Sequence, residues 1–178
     1  IRMIQDRART ACQLQNKISD CSFYNSEITN KMIMEQKLCS LFDDSIKNND
    51  FHVYIQPKIN LKNSETGGAE ALVRWFHPDR GIIYPSDFIP LFERNGNIIQ
   101  LDLYVFEKVC EYQKQRIDSG KKLFTISVNL SRVHFRNLNY LRPFIELKNK
   151  YNIPDGVIEL ELTELSLIHI SEPTRQAE

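Results

Sequence analysis

The stretch Gly68-Ala69-Glu70-Ala71-Leu72-Val73-Arg74-Trp75-Phe76 constrains the fold more than any other. It reads as a strand, and side chains alternate across a strand. Glu70, Leu72 and Arg74 therefore share one face, and Ala71, Val73 and Trp75 share the other. The second set suits packing under helices, with Trp75 read as core rather than as a base-stacking platform. The first set puts a carboxylate and a guanidinium on a face that would otherwise be apolar. A buried carboxylate without a partner is costly, so that face needs a cation, a metal or water beside it.

The flanking segments extend this pattern. Phe51 to Pro57 reads as a strand with Phe51, Val53 and Ile55 opposite His52, Tyr54 and Gln56. The link from Lys58 to Gly68 is short and polar, whereas a parallel crossover takes roughly a dozen or more residues, usually helical. The first two strands are therefore expected to form an antiparallel hairpin. His77 to Gly81 reads as a turn, and Pro85 to Gly96 as a short helix with Pro90 near its start. Ile98 to Ser119 reads as a long helix stopped by Gly120. Phe124 to Leu130 is a third strand with Ser127 and Asn129 on its polar face. Arg132 to Tyr151 is predicted helical with an interruption at Pro143. Val157 to Thr163 is a fourth strand with Glu159 and Glu161 on its polar face.

Strand, helix, strand, helix, strand from residue 70 onward is the order of an α/β domain with parallel strands. If the sheet closes into a barrel, one face of every strand points at the lumen, and Glu70, Arg74, Asn129 and Glu161 converge there. An open doubly wound sheet competes with this reading. It would bring Gly-rich phosphate turns after its strands, and the sequence contains none of the usual patterns.

Upstream, residues 1–22 are polar and helix-permissive, with too few apolar side chains for a core of their own. Residues 28–47 are predicted to form an amphipathic helix with Met34, Leu38, Leu41 and Ser45 as its stripe, widened by Phe42. Lys plus Arg equals Asp plus Glu, 23 of each, so no global field points to a nucleic-acid polymer or an anionic membrane. No apolar run is long enough to cross a bilayer. Cys12, Cys21, Cys39 and Cys110 lack zinc-type spacing and read as reduced thiols. His52, His77, His134 and His169 have no partners at ligand spacing and read as non-metal. Lys121-Lys122 reads as a solvated pair on a loop.

Glu70-Ala71-Leu72-Val73-Arg74-Trp75 resembles the signature of EAL domains, the bacterial phosphodiesterases that hydrolyse cyclic di-GMP. Tyr54-Ile55-Gln56-Pro57-Lys58 resembles the family's first strand, and Pro85-Ser86-Asp87-Phe88-Ile89-Pro90 the segment after the signature. Ser127-Val128-Asn129-Leu130-Ser131 and Glu159-Leu160-Glu161-Leu162-Thr163-Glu164 resemble its third-strand and fourth-strand motifs. The resemblance covers about residues 30–164. It implies a partial TIM-type (β/α) barrel whose first strand runs antiparallel, with about four of the eight strands present.

The resemblance also implies the site. Glu70, Asn129 and Glu161 match metal-binding positions, with Glu70 and Glu161 catalytic. All are hard oxygen ligands of the kind Mg²⁺ or Mn²⁺ favours. Arg74 resembles the family's phosphate-contacting arginine, and Gln56 and Leu72 match positions lining the dinucleotide pocket. Asp102 matches a carboxylate that can accept from a guanine edge; it also lies near a helix start, where a carboxylate is favourable anyway. Glu164 resembles a glutamate that steadies a catalytic loop. By the same resemblance, two metals activate a water for in-line attack on cyclic di-GMP and yield linear pGpG. The implied setting is the bacterial cytoplasm, free or tethered to the membrane by the parent, and a homodimer through the domain is a family arrangement.

The implied organisation is a remnant of an upstream GGDEF-like domain at 1–25, a connecting helix at 26–50 and the first half of an EAL domain at 51–164. After Glu164 the family pattern stops. Residues 165–178 resemble the translation of a transposase-type sequencing adapter and are expected to be non-native. An isolated chain with half the ligand set is expected to be inactive. A catalytically inactive receptor for cyclic di-GMP, or a purely structural regulatory domain, are the alternative readings.

Overall fold

The computed structural model describes residues 26–59, 61 and 66–162. The expectations for residues 1–25, for Thr163 and Glu164 and for 165–178 lie outside the described residues. The chain divides into two compact units, Ile1–Phe42 and Asp43–Glu178. Helix α1 (Ser26–Lys47) runs through the division. It buries Leu38, Phe42 and Ser45, whereas Met34 of the predicted stripe is exposed.

Within the second unit, strands β1 (Phe51–Ile59) and β2 (Thr66–His77) pair antiparallel, with Tyr54 opposite Leu72, Gln56 opposite Glu70 and Lys58 opposite Gly68. The hairpin expected from the linker length is therefore present. β1 ends the row of strands, and an end strand tolerates Pro57, which has no N–H to give a further neighbour. β4 (Ile126–Leu130) lies parallel to β2, and β5 (Ile158–Leu162) parallel to β4. The row is β1-β2-β4-β5.

A fifth strand, β3 (Gly81–Ile83), pairs with the end of β2 from Trp75 to His77. The sequence predicts a turn ending at Gly81 and no strand there. Three residues carry no periodicity to read, and this strand exists because β2 runs on to His77 before the chain reverses.

Three helices cover the sheet: α2 (Pro85–Asn95), α3 (Ile98–Asp118) and α4 (Arg142–Lys150). Pro85 takes the first turn of α2, where a missing N–H costs nothing, so Pro90 lies inside the helix rather than near its start. Gly96 closes α2 in the left-handed region at φ 88°, and its N–H donates to the Phe92 carbonyl. The predicted helix from Arg132 to Tyr151 is two elements. A 3₁₀ turn at Arg132–Arg136 is capped by the Ser131 hydroxyl, and α4 begins at Arg142, with Pro143 in its first turn. The proline starts a helix instead of interrupting one.

The core lies between the sheet and these helices. Trp75 is fully buried; it stacks on Phe51 at 4.8 Å between ring centroids and meets Phe88 edge-on at 5.6 Å. Its indole N–H donates to Ser45 Oγ at 3.0 Å, which satisfies the one polar atom of a buried Trp. On α3, Leu101, Val105 and Val109 form the buried stripe. The Gln113 amide donates to the carbonyls of Phe124 and Val157, tying α3 to the chain entering β4 and β5. Arg116 lies over the Phe124 ring at 4.7 Å and donates to the Lys122 carbonyl, fixing the same turn from outside. Lys121 and Lys122 are exposed, as expected. Burial, and then the charges of Glu107 and Glu111, push the Cys110 thiol up to about 12, so it is unreactive at neutral pH.

One backbone approach sets the spacing of β2 and β4. A Cβ on Gly68 would stand 3.0 Å from the Thr125 carbonyl oxygen, and the next N–H, that of Ala69, donates to that same oxygen at 2.9 Å. Gly68→Ala is therefore expected to push the strands apart and to lower stability by about 1–3 kcal/mol, read from the urea midpoint.

Candidate metal and ligand site

The three parallel strands deliver their polar faces to one end of the sheet. Register places Glu70 beside Ser127, and Asn129 beside Glu161. The Asn129 side-chain amide donates to Glu70 Oε1 at 2.9 Å. The partner that the sheet-face carboxylate requires is thus supplied first by a neighbouring strand. Gln56 sits opposite Glu70 on β1, and Asn129 and Glu161 stand one pleat repeat farther on, so four of the sequence-predicted positions share one face as a polar row two levels deep: Gln56, Glu70, Asn129 and Glu161.

Lys58 reaches into this row from the level of Gly68, and its sequence context predicts no role for it. Its ammonium donates to Ser127 Oγ at 2.8 Å and to Glu161 Oε2 at 3.0 Å. The Lys58 and then Ser127 hydrogen bonds hold the Glu161 carboxyl below the usual carboxylate range. Period-two alternation puts Lys58 on the face of Tyr54 and Gln56, so its side was legible. Its partner, 103 residues away, was not.

A cleft beside this row is lined by Leu72, Arg74, Asp102 and Asn129 together with apolar side chains such as Ile89 and Leu101. Arg74 does not pair with Glu70. Its guanidinium donates to the Val73 carbonyl at 2.8 Å, and Arg74 lies one full pleat repeat beyond Leu72. Three predicted ligand-contacting residues, Leu72, Arg74 and Asp102, therefore share one wall-to-wall cleft with the Asn129 end of the row.

Asp102 differs from the expectation of a helix-start carboxylate. It lies past the first turn of α3, is 8% exposed, and bonds to the segment after β4. Its Oδ2 accepts from the Ser131 N–H at 2.9 Å and stands 3.1 Å from His134 Nε2. The Ser131 hydroxyl in turn donates to Glu93 Oε1 at 2.6 Å. This buried cluster fixes the loop that follows Asn129. His134, read from sequence as having no partner at ligand spacing, has this carboxylate as its partner.

Burial raises the Asp102 carboxyl above the usual range, more than the His134 and Ser131 bonds lower it. A buried carboxylate of this kind takes up its proton in the folded state before it does in the unfolded chain. Its ionised form therefore weighs against folding above the raised folded value, and that cost fades as pH falls towards the ordinary value. Asp102→Asn, compared with the parent by urea unfolding across pH, is expected to gain most at neutral pH and progressively less in acid. Asp102→Ala strips the Ser131 N–H of its acceptor and is expected to cost about 1–3 kcal/mol.

The donor set suits a hard divalent cation: two carboxylates and an amide carbonyl, all oxygen. Among the described residues no three His, Cys, Asp or Glu side chains converge as a metal-binding group, and here the middle donor is an amide, Asn129. The bond from the Asn129 amide nitrogen to Glu70 leaves its carbonyl oxygen for another partner. The Lys58 ammonium on Glu161 shows that this end of the row already draws a cation.

Residues 40–177 match the EAL domain family. The chain belongs to the EAL domain family. Among curated EAL relatives, it is 29% identical over 159 residues to the signaling protein YkoW of Bacillus subtilis, covering 89% of this chain and 20% of that protein. It is 29% identical over 159 residues to the bifunctional diguanylate cyclase/cyclic di-GMP phosphodiesterase MucR of Pseudomonas aeruginosa, covering 89% and 23%. The chain thus spans about a fifth of the length of these relatives. A solved structure of the MucR phosphodiesterase in complex with c-di-GMP superposes with a TM-score of 0.66 at 29% identity, covering 72% of this chain and 52% of that one. The Xanthomonas citri FimX EAL domain, solved with c-diGMP, gives a TM-score of 0.66 at 16% identity over 79% and 54%, which speaks to fold. The fold is accordingly a partial EAL-type (β/α) barrel with its first pair of strands antiparallel.

Proposed function

We propose that the protein carrying this chain is a cyclic di-GMP phosphodiesterase that opens one phosphodiester to give linear pGpG. The observation that carries the reading is the row Glu70, Asn129 and Glu161, on three adjacent parallel strands, beside a cleft holding Arg74. Relatives named as cyclic di-GMP phosphodiesterases support the substrate class.

In this reading the oxygens of Glu70, Asn129 and Glu161 hold divalent metal, Mg²⁺ or Mn²⁺, two ions in the intact site. Bound there, such ions supply positive charge to the scissile phosphate and lower the pKa of a water for in-line attack. The chain's own residues do the rest. Asn129 donates to Glu70 and so fixes which carboxylate oxygen faces the site. Arg74, permanently charged and planar, is suited to a phosphate oxygen pair once it leaves its own backbone carbonyl. Leu72 and the apolar wall of the cleft exclude water around the nucleotide. Asp102 anchors the loop after β4, and its contact with a guanine edge would need the oxygen not bonded to Ser131. The part assigned to Glu164 belongs to the same proposal.

The reading includes a bacterial cytoplasmic setting and an upstream GGDEF-like remnant at 1–25. None of the described helices is long and apolar enough to cross a membrane. The chain spans about a fifth of the length of these relatives, so the activity is proposed for the full-length protein. The full-length protein, supplied with Mg²⁺ or Mn²⁺, is expected to convert cyclic di-GMP to pGpG, with Glu70→Gln slowing it more than about a hundredfold. Tight binding without hydrolysis would favour the receptor reading, and no binding would sink both.

A further inference from the structure

Lys58 occupies an unusual position for a surface cation. It projects from β1, the strand at the end of the row, yet its ammonium reaches past β2 to Ser127 on β4 and Glu161 on β5. The residue opposite Lys58 on β2 is Gly68, which puts no side chain in its way at that level. The glycine that the Thr125 carbonyl requires therefore also leaves the lane that Lys58 crosses. Its two acceptors are a hydroxyl and a carboxylate oxygen, both hard oxygen donors, and the carboxylate belongs to the metal row.

We propose that Lys58 is an internal competitor for the divalent cation: its ammonium neutralises Glu161 through Oε2 and opposes metal binding at that carboxylate. This rests on the reading of Glu161 as a metal ligand. A carboxylate oxygen bonded to an ammonium at 3.0 Å cannot present the same lone pair to a metal ion. A metal ion on that oxygen has to break the contact, and one on the free Oε1 is repelled by the ammonium that shares the carboxylate. The competition is designed to be losable. Both side chains are about half exposed, 46% and 52%, and an ion pair in contact with water is weak. Lys58 thus keeps Glu161 charged, oriented towards Ser127 and matched before metal arrives, at a modest cost in metal affinity.

The test is a Mn²⁺ titration without nucleotide, with free Mn²⁺ read from its six-line EPR signal, on the full-length protein. Lys58→Met is expected to tighten Mn²⁺ about tenfold, the effect of removing one nearby positive charge from a solvated site. Lys58→Arg, which keeps the charge, is expected to stay near the parent. Lys58→Gln retains the length and a donor to Ser127, and gives the same comparison if Lys58→Met fails to fold. The metal-free urea midpoint of Lys58→Met should fall slightly or stay put, which separates a competitor from a mere tether. Unchanged or weaker Mn²⁺ binding in both neutral variants would overturn the proposal while leaving the metal row intact. If the parent binds no Mn²⁺ but Lys58→Met does, the competition is supported in its strongest form. If no variant binds Mn²⁺, the reading of Glu161 as a ligand falls together with it.

Discussion

Glu70 is a part-buried carboxylate on a sheet face and needs a donor or a cation beside it, and the register of the second unit supplies one. Glu70 is matched by Asn129 from the next parallel strand, and Glu161 by Lys58 from the far side of β2. Each match depends on register. A slip of one residue in β4 would turn Asn129 to the helix side and Val128 to the lumen side. The register is in turn held by contacts outside the acidic face: the Ala69 bond to Thr125, the Gln113 bonds to Phe124 and Val157, and the Trp75 packing behind β2. Stability and site geometry are thus set by the same few backbone alignments.

The two faces of β2 divide the labour. On the helix side Ala71 is buried, and Trp75 is buried against an aromatic cluster of Phe51, Phe88 and Phe92. On the other side, Glu70, Leu72 and Arg74 climb from the acidic row to the cleft. One strand therefore presents a carboxylate, an apolar cleft wall and a guanidinium at successive pleat repeats. Asp102 extends the arrangement by one layer. It contacts the loop after β4, so helix α3 controls the position of the chain leaving Asn129.

Much of this was readable in the sequence because it rests on short-range rules. The antiparallel hairpin followed from a link too short for a crossover, and the polar faces of β2, β4 and β5 followed from alternation. The row of Glu70, Asn129 and Glu161 followed from placing three such faces side by side. What was not readable depends on distant partners or on very short elements. β3 has three residues, too few to show a periodicity, and is defined by its pairing with the end of β2. Pro143 looked like an interruption because a proline in a helix and a proline opening one differ only in where the helix starts. Asp102 looked like a helix-start carboxylate because its partners, Ser131 and His134, lie 29 and 32 residues on. Lys58 was visible on the right face, but nothing local indicated that it would reach Glu161.

The central claim is that Glu70, Asn129 and Glu161 form one cation-binding row next to the nucleotide cleft. The most direct measurement is anomalous scattering at the manganese edge from crystals of the full-length protein grown with Mn²⁺ and cyclic di-GMP. The account predicts a peak within about 2.0–2.6 Å of side-chain oxygens from that row, with nucleotide density beside Arg74. Nucleotide bound in the cleft with the manganese peak away from all three residues would contradict it.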